Sequence, residues 1–324
     1  MVSASSLLLL PSSVRDLASC VVADVAACTT PASTLTSSSS SSSSGFTSAL
    51  SVTVSYRAST LFLGRSSPLH MRLTWTRSPV GPTLSFSPSA SAPTVPLRRR
   101  RGTRSVSLED FGAVSGQGCC AQVVVFWDLT AARYDASPEP HSGYYFVAIA
   151  GAAEVVLSVG DMAADFVEEK LEGRVPEAAL SLPVERRERV VAPDPAAMHT
   201  ARRVRFTEGG PEHEVSVGCS GGGAEEELWV SVDGKRAVQA RRPRLNFRGN
   251  QTVFVDGAPV DVMWDLHGWW FRKPPSGCAV VMLRARSALE SRLWLEEEEG
   301  AAAPGFSLVV QVFKSRLDEL SSGH

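Results

Sequence analysis

Between Val25 and Leu108 the chain has no aspartate or glutamate. The same span holds nine arginines (Arg57, Arg65, Arg72, Arg77, Arg98, Arg99, Arg100, Arg101 and Arg104), while the whole chain carries only −2. The remainder is therefore acidic. Such a split implies a nucleic-acid or anionic-lipid contact, a targeting peptide, or two opposite surfaces that neutralise each other within one fold; the last is our first reading. Long apolar runs are also missing. Leu7–Leu10 stops at Pro11, far short of the roughly 20 residues that a membrane-spanning helix needs. The six cysteines show no paired metal-type spacing and the six histidines no H-E-x-x-H pattern, so neither a metal nor a cofactor is expected. Cys119 and Cys120 are adjacent, but successive strand residues face opposite ways and cannot easily share one ion.

What is present is mostly period-two alternation. Residues 1–48, with the serine tract Ser37–Ser44, have little to bury and are expected to be disordered, as are residues 317–324. The leader is acid-poor like a plastid transit peptide, yet its arginines begin only in strand-like sequence, so the cytoplasm is expected and the chloroplast is the alternative. From Val52–Tyr56 onward, Arg72–Thr76, Thr83–Ser87, Glu214–Cys219, Leu228–Val232, Arg236–Ala240, Gln251–Val255 and Val260–Trp264 alternate as half-buried strands do. Gln122–Trp127, Tyr144–Ile149 and Glu154–Val159 are more continuously apolar and fit a sheet covered on both faces. Asp233-Gly234 and Asp256-Gly257 signal hairpins. One helix is expected from Asp161, as cap, to Glu172, with Met162, Phe166 and Leu171 on one face. The charged passages Glu185–Arg189 and Arg202–Arg205 read as polar linker.

Val125-Phe126-Trp127-Asp128-Leu129 recurs as Val262-Met263-Trp264-Asp265-Leu266. An internal strand-hairpin repeat is the simplest account, with each tryptophan a core anchor and each aspartate bonding backbone N–H groups at a strand end. The chain thus reads as all-β: a two-layer antiparallel sandwich, or a flattened barrel, carrying one short helix. Residues 49–316 are read as one domain of two related halves, about 49–160 and 200–316, with Trp75, Trp127, Trp229 and Trp264 buried.

Several ordered motifs make the chain resemble a plant-specific family catalogued as domain of unknown function 868. They are Leu73-Thr74-Trp75, the two Trp-Asp-Leu copies, Pro138-Glu139-Pro140, Gly143-Tyr144-Tyr145, Gly160-Asp161-Met162, Val230–Arg236 and Phe247-Arg248-Gly249-Asn250. The resemblance spans about Leu50 to Phe313 and implies no activity. Two places depart from it: Thr94–Ser107 is arginine-rich where a tryptophan-bearing strand is usual, and Pro243 replaces an apolar strand residue.

Candidate chemistry is sparse, and no catalytic residue is assigned. Gly218-Cys219-Ser220-Gly221-Gly222 fits G-x-S-x-G, but a nucleophile elbow needs a strand entering and a helix leaving, with a base such as His199 or His213 in reach of Ser220. Asp128 and Asp265 form an acid/base pair only if the repeats bring them together; separate turn roles are the simpler reading. His267 lies beside Asp265 and is the one histidine near a repeated motif. Lys235, Arg236, Arg242 and Arg248 alternate with apolar residues and are the candidate bases for phosphate, lipid or nucleic acid, although aromatics are too few among them for a stacking platform. The function expected is a non-enzymatic binding or interaction module, first with a protein partner. The alternatives are a hydrolytic or sugar-active enzyme using Asp128 and Asp265, and an anionic-ligand binder.

Overall fold

Alternating sequence becomes strand wherever the chain can be followed. The computed structural model describes residues 48–58, 68–89, 92–107, 122–151, 154–170, 181–192, 197–220, 226–272, 277–286 and 305–314. Residues 1–47 of the leader, the tail, Cys119, Cys120, Gly221 and Gly222 lie outside the described residues, while Ser48 opens the first strand. β1 (Ser48–Ala58), β2 (Leu69–Ser78), β3 (Gly81–Ser87) and β4 (Val95–Leu97) form one antiparallel meander. β5 (Arg101–Ser107), β6 (Gln122–Asp128), β7 (Tyr145–Ala150) and β8 (Glu154–Val159) form a second. A helix, α1 (Ala163–Lys170), and the strand β9 (Ser181–Ala192) follow. β10 (Met198–Val204), β11 (His213–Ser220), β12 (Glu227–Val232) and β13 (Lys235–Arg241) are the third meander. β14 (Arg248–Val255), β15 (Ala258–Asp265), β16 (Cys278–Ala285) and β17 (Ser307–Lys314) are the fourth, with α2 (His267–Phe271) between β15 and β16.

β9 joins the first and fourth meanders into a nine-stranded sheet, β14-β15-β16-β17-β9-β1-β2-β3-β4, while the second and third remain four-stranded sheets. β9 runs antiparallel to β1 and parallel to β17. The mainly-β expectation therefore holds, in several antiparallel sheets rather than a closed barrel. Inward rows such as Leu73 and Trp75 of β2, Val123 and Val125 of β6 and Phe146 of β7 share one apolar core. Val215, Val230, Val262, Trp264 and Val310 belong to another, which also takes in Val190 of β9. Every residue of β7 is buried, because Tyr145, Val147 and Ile149 on its second face meet Ala163, Phe166 and Val167 of α1. No helix among the described residues is long and apolar enough to cross a membrane.

Four readings change. Glu185–Arg189 is not linker but the middle of β9, and Arg202–Val204 closes β10; charge alternation hid strands whose partners neutralise them. Asp161 does not simply cap α1: its carboxylate accepts the Gly143 and Tyr144 N–H groups at 2.9 and 3.1 Å, and Met162 points outward, 41% exposed. Trp75, Trp127 and Trp264 are buried, but Trp229 is half-buried, since Leu228 and Val230 take the inward row of β12. Pro243 lies in the β13–β14 turn, where it removes no ladder bond, and the arginine-rich segment pairs along the whole of β5.

Candidate functional site

The two Trp-Asp-Leu copies make the same set of bonds. In the first, Trp127 stands opposite Gly102, its Nε1–H donates to the Arg99 carbonyl at 2.8 Å, and Leu129 N–H donates to Arg100 O at 2.7 Å. Asp128 Oδ1 accepts the Thr130 N–H at 2.8 Å, and Oδ2 lies 3.4 Å from Arg101 Nε. In the second, Trp264 stands opposite Gly249, its Nε1–H donates to Asn246 O at 3.0 Å, and Leu266 N–H donates to Phe247 O at 2.7 Å. Asp265 Oδ1 accepts the His267 N–H and Oδ2 the Arg248 Nε–H, both at 2.9 Å. Each carboxylate closes its own strand end, and the two stand in different sheets. The His267 ring packs 5.6 Å from Phe247 and 5.2 Å from Phe271.

A buried ionic junction lies where the two cores meet, and the sequence reading missed it. On β9, Arg186 and Glu188 share the inward row with Val190 and Ala192. Arg186 bonds Glu139 at 2.7 Å and Glu188 at 2.6 Å, and the other Glu188 oxygen lies 2.6 Å from His199 Nε2 on β10. Arg203 reaches Glu139 at 3.1 Å and donates to the Pro140 carbonyl at 3.1 Å. The Pro138-Glu139-Pro140 loop is thereby pinned to β9 and β10. Burial alone would raise the Glu188 pKa, but Arg186 and His199 outweigh it and hold that carboxyl at about 2. Burial, then the Glu139 charge, pushes the Tyr56 phenol well up and the Tyr144 phenol to about 12. The only signal in sequence was Glu139 between two prolines, and its partner strand read as linker.

The histidines proposed as bases are engaged elsewhere. His213 lies between the two Asp-Gly turns, 2.7 Å from Asp233 through Nδ1 and 2.9 Å from Asp256 through Nε2. Ser220 ends β11, and β12 follows it antiparallel, so strand follows strand instead of the helix an elbow requires. Among the described residues no group of His, Cys, Asp and Glu is arranged to hold a metal ion.

The bases divide into two sets. Of the sequence candidates, Arg236 pairs with Glu227 at 3.1 Å and lies over Trp229, and Arg248 pairs with Asp265. Neighbouring Arg244 pairs with Glu226 at 2.9 Å. Lys235 and Arg242 are exposed, the latter at a positive φ of 52° in the turn before Pro243. By contrast Arg98, Arg99, Arg100 and Arg104 around the β4–β5 turn are exposed and have no ion-pair partner among the described residues; only Arg101 has one, Asp128. Arg98, Arg99, Thr103 and Arg104 line a groove of about 660 Å³ over buried Leu97 and Trp127, with no carboxylate in its wall among the described residues.

These features define a mainly-β protein of antiparallel sheets, with a buried ionic cluster on β9 and an arginine-rich turn on its surface. The chain belongs to a plant protein family of unknown function (DUF868), whose model matches residues 47–316. No curated protein and no solved structure matches it.

Proposed function

We propose that the protein is a non-enzymatic binding module for an anionic ligand. One observation carries this reading: Arg98, Arg99, Arg100 and Arg104 around the β4–β5 turn stand exposed with no ion-pair partner among the described residues, whereas Arg236, Arg244 and Arg248 each face a carboxylate. Uncompensated like charges around one concavity repel each other and raise the local potential, which a bound anion relieves. The recurring Trp-Asp-Leu bonds support reading residues 49–316 as two related halves that serve as a stiff frame. The acid/base alternative loses its motive, because Asp128 and Asp265 each have partners that account for them.

Heparin chromatography tests the reading. The wild type is expected to be retained, and replacing Arg98, Arg99 and Arg104 by Gln to shift elution to clearly lower salt. Replacing Lys235, Arg236, Arg242 and Arg248 by Gln should shift it less. Unretained wild-type protein would refute the proposal.

A further inference from the structure

Resting on the anionic-ligand reading, we infer that the groove at the β4–β5 turn is a binding site for a compact ligand carrying two or more phosphate groups, such as an inositol phosphate or the headgroup of a phosphorylated inositol lipid. The donors are all of one kind. Among the described residues, Arg98, Arg99 and Arg104 line the groove with no lysine among them. A guanidinium presents a planar fork that meets two phosphate oxygens at once, which an ammonium cannot do. Three arginines along one groove can offer such forks to several phosphates close together, which a single carboxylate would not use.

Size and surface narrow the class further. The volume of about 660 Å³ lies in the range of small-ligand sites, which suits a compact ligand. A single-stranded nucleic acid would also need exposed rings for its bases. Among the described residues the one aromatic lining the groove, Trp127, is 4% exposed, its ring covering Gly102 and its Nε1–H held by the Arg99 carbonyl. That bond has a second consequence. It ties the backbone of one anion-binding arginine to a core tryptophan, so the groove wall is fixed before a ligand arrives and little ordering remains to oppose binding.

Calorimetric titration of the full chain with myo-inositol hexakisphosphate tests the site, with flotation on phosphatidylcholine vesicles, plain or doped with phosphatidylinositol bisphosphate, to distinguish free from lipid-borne phosphate. Saturable binding is expected, weakened about a hundredfold in the Arg98→Gln/Arg99→Gln/Arg104→Gln variant. The matching triple lysine variant, which keeps charge but loses the forks, should fall between them. All three side chains are exposed, and an unchanged unfolding midpoint checks that each variant folds. Flotation only on doped vesicles assigns the lipid source, and binding of hexakisphosphate without flotation assigns the free one; both support the site. Binding that survives the Gln variant but is lost on neutralising Lys235, Arg236, Arg242 and Arg248 would overturn this site and leave the anionic-ligand reading standing. Retention on heparin without any inositol phosphate or vesicle binding would overturn the phosphate class alone. No binding to any of these anions would overturn both.

Discussion

At the scale of single residues, the least obvious feature is a glycine facing a tryptophan across two strands. Gly102 pairs with Trp127, Gly218 with Trp229 and Gly249 with Trp264. A Cβ built on these glycines would lie 2.7, 2.8 and 2.3 Å from an indole carbon. The ring therefore lies flat over the missing side chain and shields the strand that glycine would otherwise weaken. Gly249→Ala forces the buried Trp264 ring off its bond to Asn246 and should cost about 1 to 3 kcal/mol, as overpacked cores do. Gly102→Ala, with its wider gap, should cost less. Denaturant unfolding of both variants checks the order; an unchanged midpoint for Gly249→Ala would show that the ring moves freely. Both Trp-Asp-Leu copies were legible in sequence as strand-end anchors, but their glycine partners were not, since register decides which residue stands opposite.

Elements show the same division. Asp233-Gly234 and Asp256-Gly257 make two-residue hairpin turns, and both residues of each have positive φ, as their sequence led one to expect. Sequence did not show that His213 would bridge them. One turn belongs to a four-stranded sheet and the other to the nine-stranded sheet, so the imidazole staples two sheets together. A carboxylate at each ring nitrogen favours the charged ring, in which both nitrogens donate. Although burial opposes this, Asp233 and Asp256 raise the His213 pKa, while the bond to His213 lowers that of Asp233. The histidine contribution is full below its unfolded value of about 6.5 and is lost as pH rises through the raised folded value. The Asp233 contribution runs the other way, present above about 4 and lost as pH falls. The difference in thermal midpoint between wild type and His213→Gln should therefore be largest near pH 5 to 6 and shrink as pH rises past the raised folded value. A difference that grows toward alkaline pH would contradict the charged staple.

β9 shows why the centre of the molecule was the hardest part to read. A central strand usually announces itself by an apolar run, whereas Glu185-Arg186-Arg187-Glu188-Arg189 reads as solvated charge. Its inward Arg186 and Glu188 are tolerated because Glu139 and His199 arrive from a distant loop and strand. Only the tertiary fold supplies those partners, and removing any one would leave a buried charge exposed to its full desolvation cost.

For the whole molecule, the charge asymmetry visible in sequence divides into two outcomes. Arg101 meets Asp128, while Arg98, Arg99, Arg100 and Arg104 keep the excess of the β4–β5 turn at the surface. Composition alone favoured mutual neutralisation and directed attention to Lys235–Arg248, where acidic neighbours turned out to be within reach. The separating fact is spatial: Glu226, Glu227 and Asp265 pair with Arg244, Arg236 and Arg248 of the second set, and among the described residues only Asp128 answers the first.

The salt dependence of heparin affinity tests this partition most directly. In a plot of log affinity against log salt, the wild type should fall steeply, and the slope should be shallower by about three in the Arg98→Gln/Arg99→Gln/Arg104→Gln variant, one for each lost contact. Equal slopes in the two proteins would contradict the assignment of the open charge to this turn.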